Sequence, residues 1–219
     1  MRKLDRASVA CPTCLGTYVP GSHYGQLRGS ETLEIRTALL TMQSHRCAYC
    51  ERRTGEERDQ GHIEHFRKQA NRPELQLTWS NLFWSCLDER SCGKHKDKCD
   101  RPAGSGPQAS FNPDDLLNPC DDDPDAFLEF LVDGTVRPRH GLSTQDAHRA
   151  SDSLRVFQLD ANTFLRQSRK DAVSPYVTAV DAMLQHGVAA VKAFVASVQP
   201  QIEAAPFSTA IKHYLRGLL

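Results

Sequence analysis

The chain has 219 residues, enough to bury a real core and to hold one generous domain or two modules. Its 27 basic and 27 acidic residues cancel, which excludes a chain-wide attraction to a polyanion and leaves any nucleic-acid contact to a local patch or a partner. No run approaches the roughly 18 to 20 apolar residues of a membrane span, and the basic start "MRKLDRASVACPTC" lacks the apolar stretch of a signal peptide, so a cytoplasmic protein with no membrane partner is expected.

Residues 1–29 carry Cys11-Pro-Thr-Cys14 and a stretch rich in Gly, Pro and Ser, and read as an irregular arm rather than a packed element. Ser30 as N-cap, the acidic first turn of Glu31 and Glu34, and the apolar Leu33, Ala38, Leu39, Leu40 and Met42 predict a helix running toward Cys47, where it would pack under a metal site. Ile63 to Phe66 is a short strand candidate, the piece around Leu77 to Trp84 a second, and Cys92 to Cys99 a short lysine-rich helix. These place a domain at residues 30–101. The segment "PAGSGPQAS" then marks a linker, residues 102–112.

Between Asp114 and Asp133 stand eight acidic residues and no lysine or arginine, a face unsuited to phosphate, and Asp133-Gly134 predicts a two-residue hairpin turn. Helix starts follow at Ser143-x-x-Asp146, at Asp160 before Phe164 and Leu165, at Ser174-Pro175, and at Pro206 before Phe207. From Tyr176 the positions Val177, Val180, Leu184, Val188, Val191 and Val195 recur at three- and four-residue steps, the buried stripe of one long helix. Residues 113–219 thus read as a hairpin plus a helical region, and the fold class as α+β: a zinc-knuckle core with a mainly helical C-terminal part.

Cys47 and Cys50 in "RCAYCE" have the spacing at which two thiolates converge on one ion at about 2.3 Å. Cys86 and Cys92, separated by "LDERS", complete a four-thiolate structural Zn²⁺ site if that loop bulges, and zinc is preferred over disulfides because no export signal accompanies the cysteines. Between the pairs lie Glu64-His65 and Asn81. Phosphodiester hydrolysis needs a water made nucleophilic, and a histidine near neutral pKa can accept its proton while a divalent ion stabilises the developing charge, a role open to His65. Neighbouring strand residues point to opposite faces, so Glu64 and His65 serve one site only where the strand is irregular or the ion sits at its end. Asn81 either orients the histidine ring or fixes the loop that carries the ligands. Lys94, Lys96, Lys98, Arg90 and Arg101, with Arg67 beside the acid–histidine pair, form the basic set suited to backbone phosphates; Trp79, Phe83 and Trp84 either stack on bases or fill the core.

Cys47-x-x-Cys50, Glu64-His65, Asn81 and Cys86 to Cys92 followed by Lys96 resemble the HNH endonuclease superfamily with its ββα-metal fold, over about residues 44–100. More narrowly, "CAYCE", "IEHFRK", "NLFWSC", "CGKHKD" and the later "DGTVRP" and "LRVFQLDANTFLRQSR" are similar to the retron- and Septu-associated HNH proteins of the PtuB type. The resemblance implies His65 as general base, Glu64 as ligand of a catalytic Mg²⁺ or Mn²⁺, Asn81 as the middle residue, a structural zinc on the four cysteines, an ATPase partner of the PtuA kind, and a role in defence against phage. The sequence departs from the family where Gly93 stands in place of a third histidine or asparagine. Asp97, one helical turn on, and His95 are the alternatives, Asp97 preferred because oxygen suits Mg²⁺; two ligands plus water is the other arrangement. Cys11, Cys14, Cys99 and Cys120 remain, as a second zinc site or as free thiols. A nuclease acting on DNA, an RNA-directed nuclease, and a non-catalytic zinc adaptor that recruits another activity are the functional readings.

Overall fold

The segment before Cys47 folds as α1 (Gly29–Gln43), two residues ahead of the expected start, because Glu31 reaches back to accept the backbone N–H of Arg28 at 2.7 Å. The computed structural model describes residues 1–57, 59–99 and 111–218; of the expected linker only its last two residues fall within these, and Arg101 lies outside them. Ile35, Leu39, Leu40 and Met42 are buried. From the end of α1 the amide of Gln43 clamps the next sheet: its Oε1 accepts from the Trp84 N–H and its Nε2 donates to the Trp84 carbonyl, both at 2.8 Å.

That sheet is an antiparallel pair, β1 (His62–His65) and β2 (Leu82–Ser85), in the register His62–Ser85, Ile63–Trp84, Glu64–Phe83 and His65–Leu82. Its second strand is shorter than expected, since Trp79 to Asn81 close a 3₁₀ turn. α2 (Cys92–Cys99) follows, as expected. Phe83 and Trp84 are both buried and fill the core rather than facing a ligand, and Gly61 is required beneath Trp84, whose indole would lie 2.5 Å from any Cβ there.

The N-terminal arm is irregular but packed, contrary to the expectation from its composition. Met1, Leu4, Cys14 and Leu15 are buried. Arg6 donates to the carbonyls of Trp79 at 2.7 Å and Leu82 at 3.2 Å and lies over the rings of Trp79 and Phe83. A polar composition hid this because a few apolar anchors and one arginine suffice to fix an arm that has no periodic face.

Beyond the linker come α3 (Pro124–Phe127) and the hairpin of β3 (Leu128–Phe130) and β4 (Val136–Pro138). The turn is three residues, not two. Gly134 N–H returns to the Leu131 carbonyl, Leu131 N–H pairs with Thr135, and Gly134 has φ +86°, so Asp133-Gly134 ends a type I turn with a glycine bulge. α4 (Thr144–Val156) begins at Ser143 as expected. α5 (Thr163–Leu184) is capped by Asn162 rather than Asp160 and runs through Pro175, which starts no new helix; the proline gives up one backbone bond while Val173 and Val180 on either side stay buried.

The expected single long helix is a hairpin of α5 and α6 (Val188–Ala204), turning at Gln185 to Gly187, where Gly187 has φ +90°. Leu184 and Val188 are exposed at the corner, while Val180, Val191 and Val195 are buried. Three turn residues replace about one helical turn, so the four-residue spacing passes through the break unaltered. α7 (Ser208–Arg216) ends the described chain.

The cysteine knuckle and the helices share one apolar core. Arg46 donates to the carbonyls of Ala205 at 2.6 Å and Glu203 at 2.8 Å and to Ser208 Oγ at 3.0 Å. Glu51 accepts from Thr209 N–H at 3.1 Å and Ser208 Oγ at 3.2 Å. Tyr49 stacks on Phe157 with centroids 4.1 Å apart, and Cys92 N–H donates to the Phe157 carbonyl at 2.9 Å. Residues flanking the cysteines therefore hold the α6–α7 corner and the end of α4. Among the described residues no helix is long and apolar enough to cross a membrane.

Candidate metal centre and acid–histidine cleft

Cys47, Cys50, Cys86 and Cys92 converge: all four are buried and their sulfurs lie within 4.8 Å of one another. Left-handed backbone at Glu51, φ +64°, and at Cys92, φ +57°, makes the two tight bends, the second absorbing the longer "LDERS" spacing. Cys50 and Cys86 sulfurs are 3.9 Å apart, close to the edge of a tetrahedron with ~2.3 Å metal–sulfur bonds and far from the ~2.05 Å of a disulfide. This donor set fits a metal such as zinc. Cys11, Cys14, Cys99 and Cys120 form no disulfide, and among the described residues they form no second cluster; Cys99 Sγ lies 3.4 Å from His95 Nδ1.

Glu64 and His65 lie at the end of β1, and both line a cleft of about 370 Å³ with His62, Ile63, Lys68, Gln69, Ala70 and Asp97. The end of the strand meets the geometric demand that adjacent residues serve one space. His65 is buried; its Nε2 donates to the Gln76 carbonyl and its Nδ1 accepts from the Gln69 amide, both at 2.9 Å, with Tyr24 edge-on at 4.9 Å. Burial lowers its pKa below the ordinary histidine value, so the ring is neutral at pH 7. Asn81 is the loop-fixing residue: it accepts from Arg67 N–H at 2.6 Å and donates to the carbonyls of Arg67 at 3.0 Å and Leu75 at 3.1 Å. Its side-chain bonds go to Arg67 and Leu75 rather than to His65, and so hold the residue before Gln76, whose carbonyl orients the ring.

Glu64 is buried against Lys96, whose Nζ stands 2.6 Å from Oε1, while Oε2 faces His62 Nε2 at 3.2 Å. Burial opposes the charge, but Lys96 and then His62 keep the carboxyl below its usual range and ionised. Lys96 is only 1% exposed and also donates to the carbonyls of His65 and Phe66, so it does not reach nucleic acid and leaves the phosphate-facing set. Lys94 and Lys98 are partly exposed and paired with Glu89, and Arg67 pairs with Asp114 at 2.5 Å.

Gly93 now has a physical reason. A Cβ there would lie 2.3 Å from Glu64 Oε2, so the first turn of α2 is open because the carboxylate fills the space. Gly93→Ala must displace Glu64 and is expected to lower stability by ~1–3 kcal/mol, the usual overpacking cost, measurable by urea melts. An unchanged midpoint would mean that Glu64 is not seated there. Asp97 lines the cleft, half-exposed, and burial followed by the charge of Glu64 raises its pKa. His95 does not; its Nδ1 bonds the Val156 carbonyl at 2.8 Å on the side facing α4. Sequence reasoning missed His62, Gln69, Gln76 and Tyr24 as parts of this neighbourhood. Only His62 had a signal, being two residues from Glu64 on the same strand face.

These features define a mixed α/β protein with a buried four-cysteine cluster, able to hold a metal such as zinc, beside an acid–histidine cleft. No family model matches the chain. It is similar to the Septu protein PtuB of Bacillus thuringiensis, 42% identical over 52 residues that cover 24% of this chain and 20% of the relative. It is also similar to the Septu protein PtuB of Bacillus mycoides (strain KBAB4), 27% identical over 161 residues that cover 63% of this chain and 50% of the relative. The chain thus matches a fifth and a half, respectively, of these relatives' lengths.

Proposed function

We propose that the chain is a metal-dependent HNH-type endonuclease with a ββα-metal core, an effector of anti-phage defence that acts with an ATPase of the PtuA kind and cleaves DNA in preference to RNA. The observation that carries this reading is one cleft lined by Glu64, His65 and Asp97 at the end of a hairpin, with a lysine-clamped carboxylate and a neutral, carbonyl-oriented imidazole. The similarity to Septu PtuB supports the defence role and the ATPase partner.

In this mechanism Mg²⁺ or Mn²⁺, held through Glu64, supplies charge stabilisation at the scissile phosphate. His65 Nδ1 takes the proton of the attacking water, and the Gln76 carbonyl fixes the ring tautomer that leaves Nδ1 free to do so. The Gln69 amide occupies Nδ1 in this structure, and a water takes its place before reaction. Lys94, Lys98 and Arg67 contact backbone phosphates once they exchange their carboxylate partners. The ATPase supplies most of the nucleic-acid affinity, a division with which the chain's net neutrality agrees.

The test is cleavage of plasmid DNA and of RNA by the zinc-loaded full chain, with Mg²⁺ or Mn²⁺, alone and with the ATPase. Metal-dependent DNA cleavage is expected. Asp97→Ala is expected to reduce it at least about 10-fold without altering the melt, and His95→Ala to leave it intact. No cleavage of either substrate under any of these conditions would reject the nuclease in favour of the zinc adaptor.

A further inference from the structure

His62 has been given no role beyond helping to keep Glu64 ionised. It lies on the same face of β1 as Glu64, two residues away, and its Nε2 stands 3.2 Å from Glu64 Oε2. Two donors on adjacent corners of an octahedron with bonds of about 2.1 Å are about 3 Å apart, so one ion fits between this nitrogen and this oxygen. The ring's other nitrogen is buried and makes no hydrogen bond, so Glu64 is the imidazole's hydrogen-bonding neighbour. Nε2, the nitrogen turned to Glu64, is therefore the donor open to an ion, which would take the place of the hydrogen bond between the two side chains. Glu64 in turn has one oxygen committed to Lys96 and the other turned to His62. Asp97 shares the cleft, but among the described residues His62 and Glu64 form no close group with a third carboxylate, thiolate or imidazole donor.

We propose that His62 and Glu64 together bind the divalent ion of the cleft, with Asp97 reaching it through water, and that the imidazole donor makes the site prefer Mn²⁺ to Mg²⁺. This rests on the metal-dependent nuclease reading and names its ligand pair and its metal. Mg²⁺ takes oxygen ligands and keeps its water, whereas an imidazole nitrogen favours a transition ion.

The experiment uses full-length protein with the four-cysteine site filled by zinc, titrated with Mn²⁺ or Mg²⁺ by calorimetry and examined with Mn²⁺ by electron spin-echo modulation. Wild type is expected to bind Mn²⁺ at least about 10-fold more tightly than Mg²⁺ and to show ¹⁴N modulation from a coordinated imidazole. His62→Ala should lose that modulation and weaken Mn²⁺ at least about 10-fold with little change for Mg²⁺; His65→Ala should keep the modulation. Should His62→Ala fail to fold, His62→Asn and the wild-type spectrum decide the matter. Absence of ¹⁴N modulation in wild type, or an unchanged Mn²⁺ affinity in either His62 variant, overturns the proposal even if cleavage persists. Tight, His62-dependent Mn²⁺ binding without cleavage of any substrate would instead reject the nuclease and leave the metal site standing.

Discussion

Cys86→Ser, or removal of zinc by a strong chelator, is expected to unfold far more than the cysteine knuckle. Apparent binding energies of structural zinc are about 10–16 kcal/mol, at least as large as the ~5–15 kcal/mol that holds a whole domain folded. The four buried sulfurs have no other way to coexist as thiolates. Burial works against Cys47, yet hydrogen bonds from Cys50, Cys86 and Cys92 hold it well below the usual thiol value. Cys50, through its bond to Cys47, and Cys92, through burial, are pushed far above that value. Binding the ion therefore expels protons, and affinity weakens as pH falls.

The damage spreads because the knuckle's own backbone and flanking side chains carry Arg46 to Ala205 and Glu203, Glu51 to Thr209, and Cys92 to Phe157. Elemental analysis should give one zinc per chain. After chelation, hydrogen exchange at α7 should rise together with exchange at β2. A zinc-free preparation with an unchanged melt and a protected α7 would refute the structural role.

What was legible in the sequence is what short spacing encodes. Cys47-x-x-Cys50, the helix of Cys92 to Cys99 and the strand at Ile63 are local patterns, and the structure gives them close to the expected bounds. Long-range partners were not legible. Lys96 reads as one member of a basic run, and only the packing of α2 on β1 turns it inward to Glu64. Gly93 reads as a missing ligand until the Glu64 carboxylate is seen in its space. The α5–α6 corner escaped because a four-residue step from Leu184 to Val188 is the same in a turn as in a helix. Tyr24 reached the site from a stretch with no periodicity at all, held by its N–H on the Gln76 side chain at 2.8 Å.

His65→Ala is expected to reduce cleavage by about 10²–10⁴, the range for loss of a positioned general base. Truncation leaves the Gln76 carbonyl without its donor, at a cost of ~1–3 kcal/mol, so a modest drop in the melt is part of the expectation; His65→Asn, which can still donate, serves as the folding control. The pH profile separates a base from a merely structural ring. Because burial lowers the His65 pKa, the wild-type rate should hold as pH falls through 6.5 and decline only below it. The same shift has a stability consequence of fixed sign. A histidine whose folded pKa is depressed contributes stability above its unfolded value, near 6.5, and that contribution is lost as pH drops through the folded value, since the unfolded chain then binds the extra proton. His65→Ala should therefore lose less stability than wild type between neutral and acidic pH, although it starts lower. Equal cleavage by wild type and both variants, or an acid limb that does not move when His65 is replaced, would remove it from the chemistry and leave Gln69, Gln76 and Tyr24 as the packing of a buried ring.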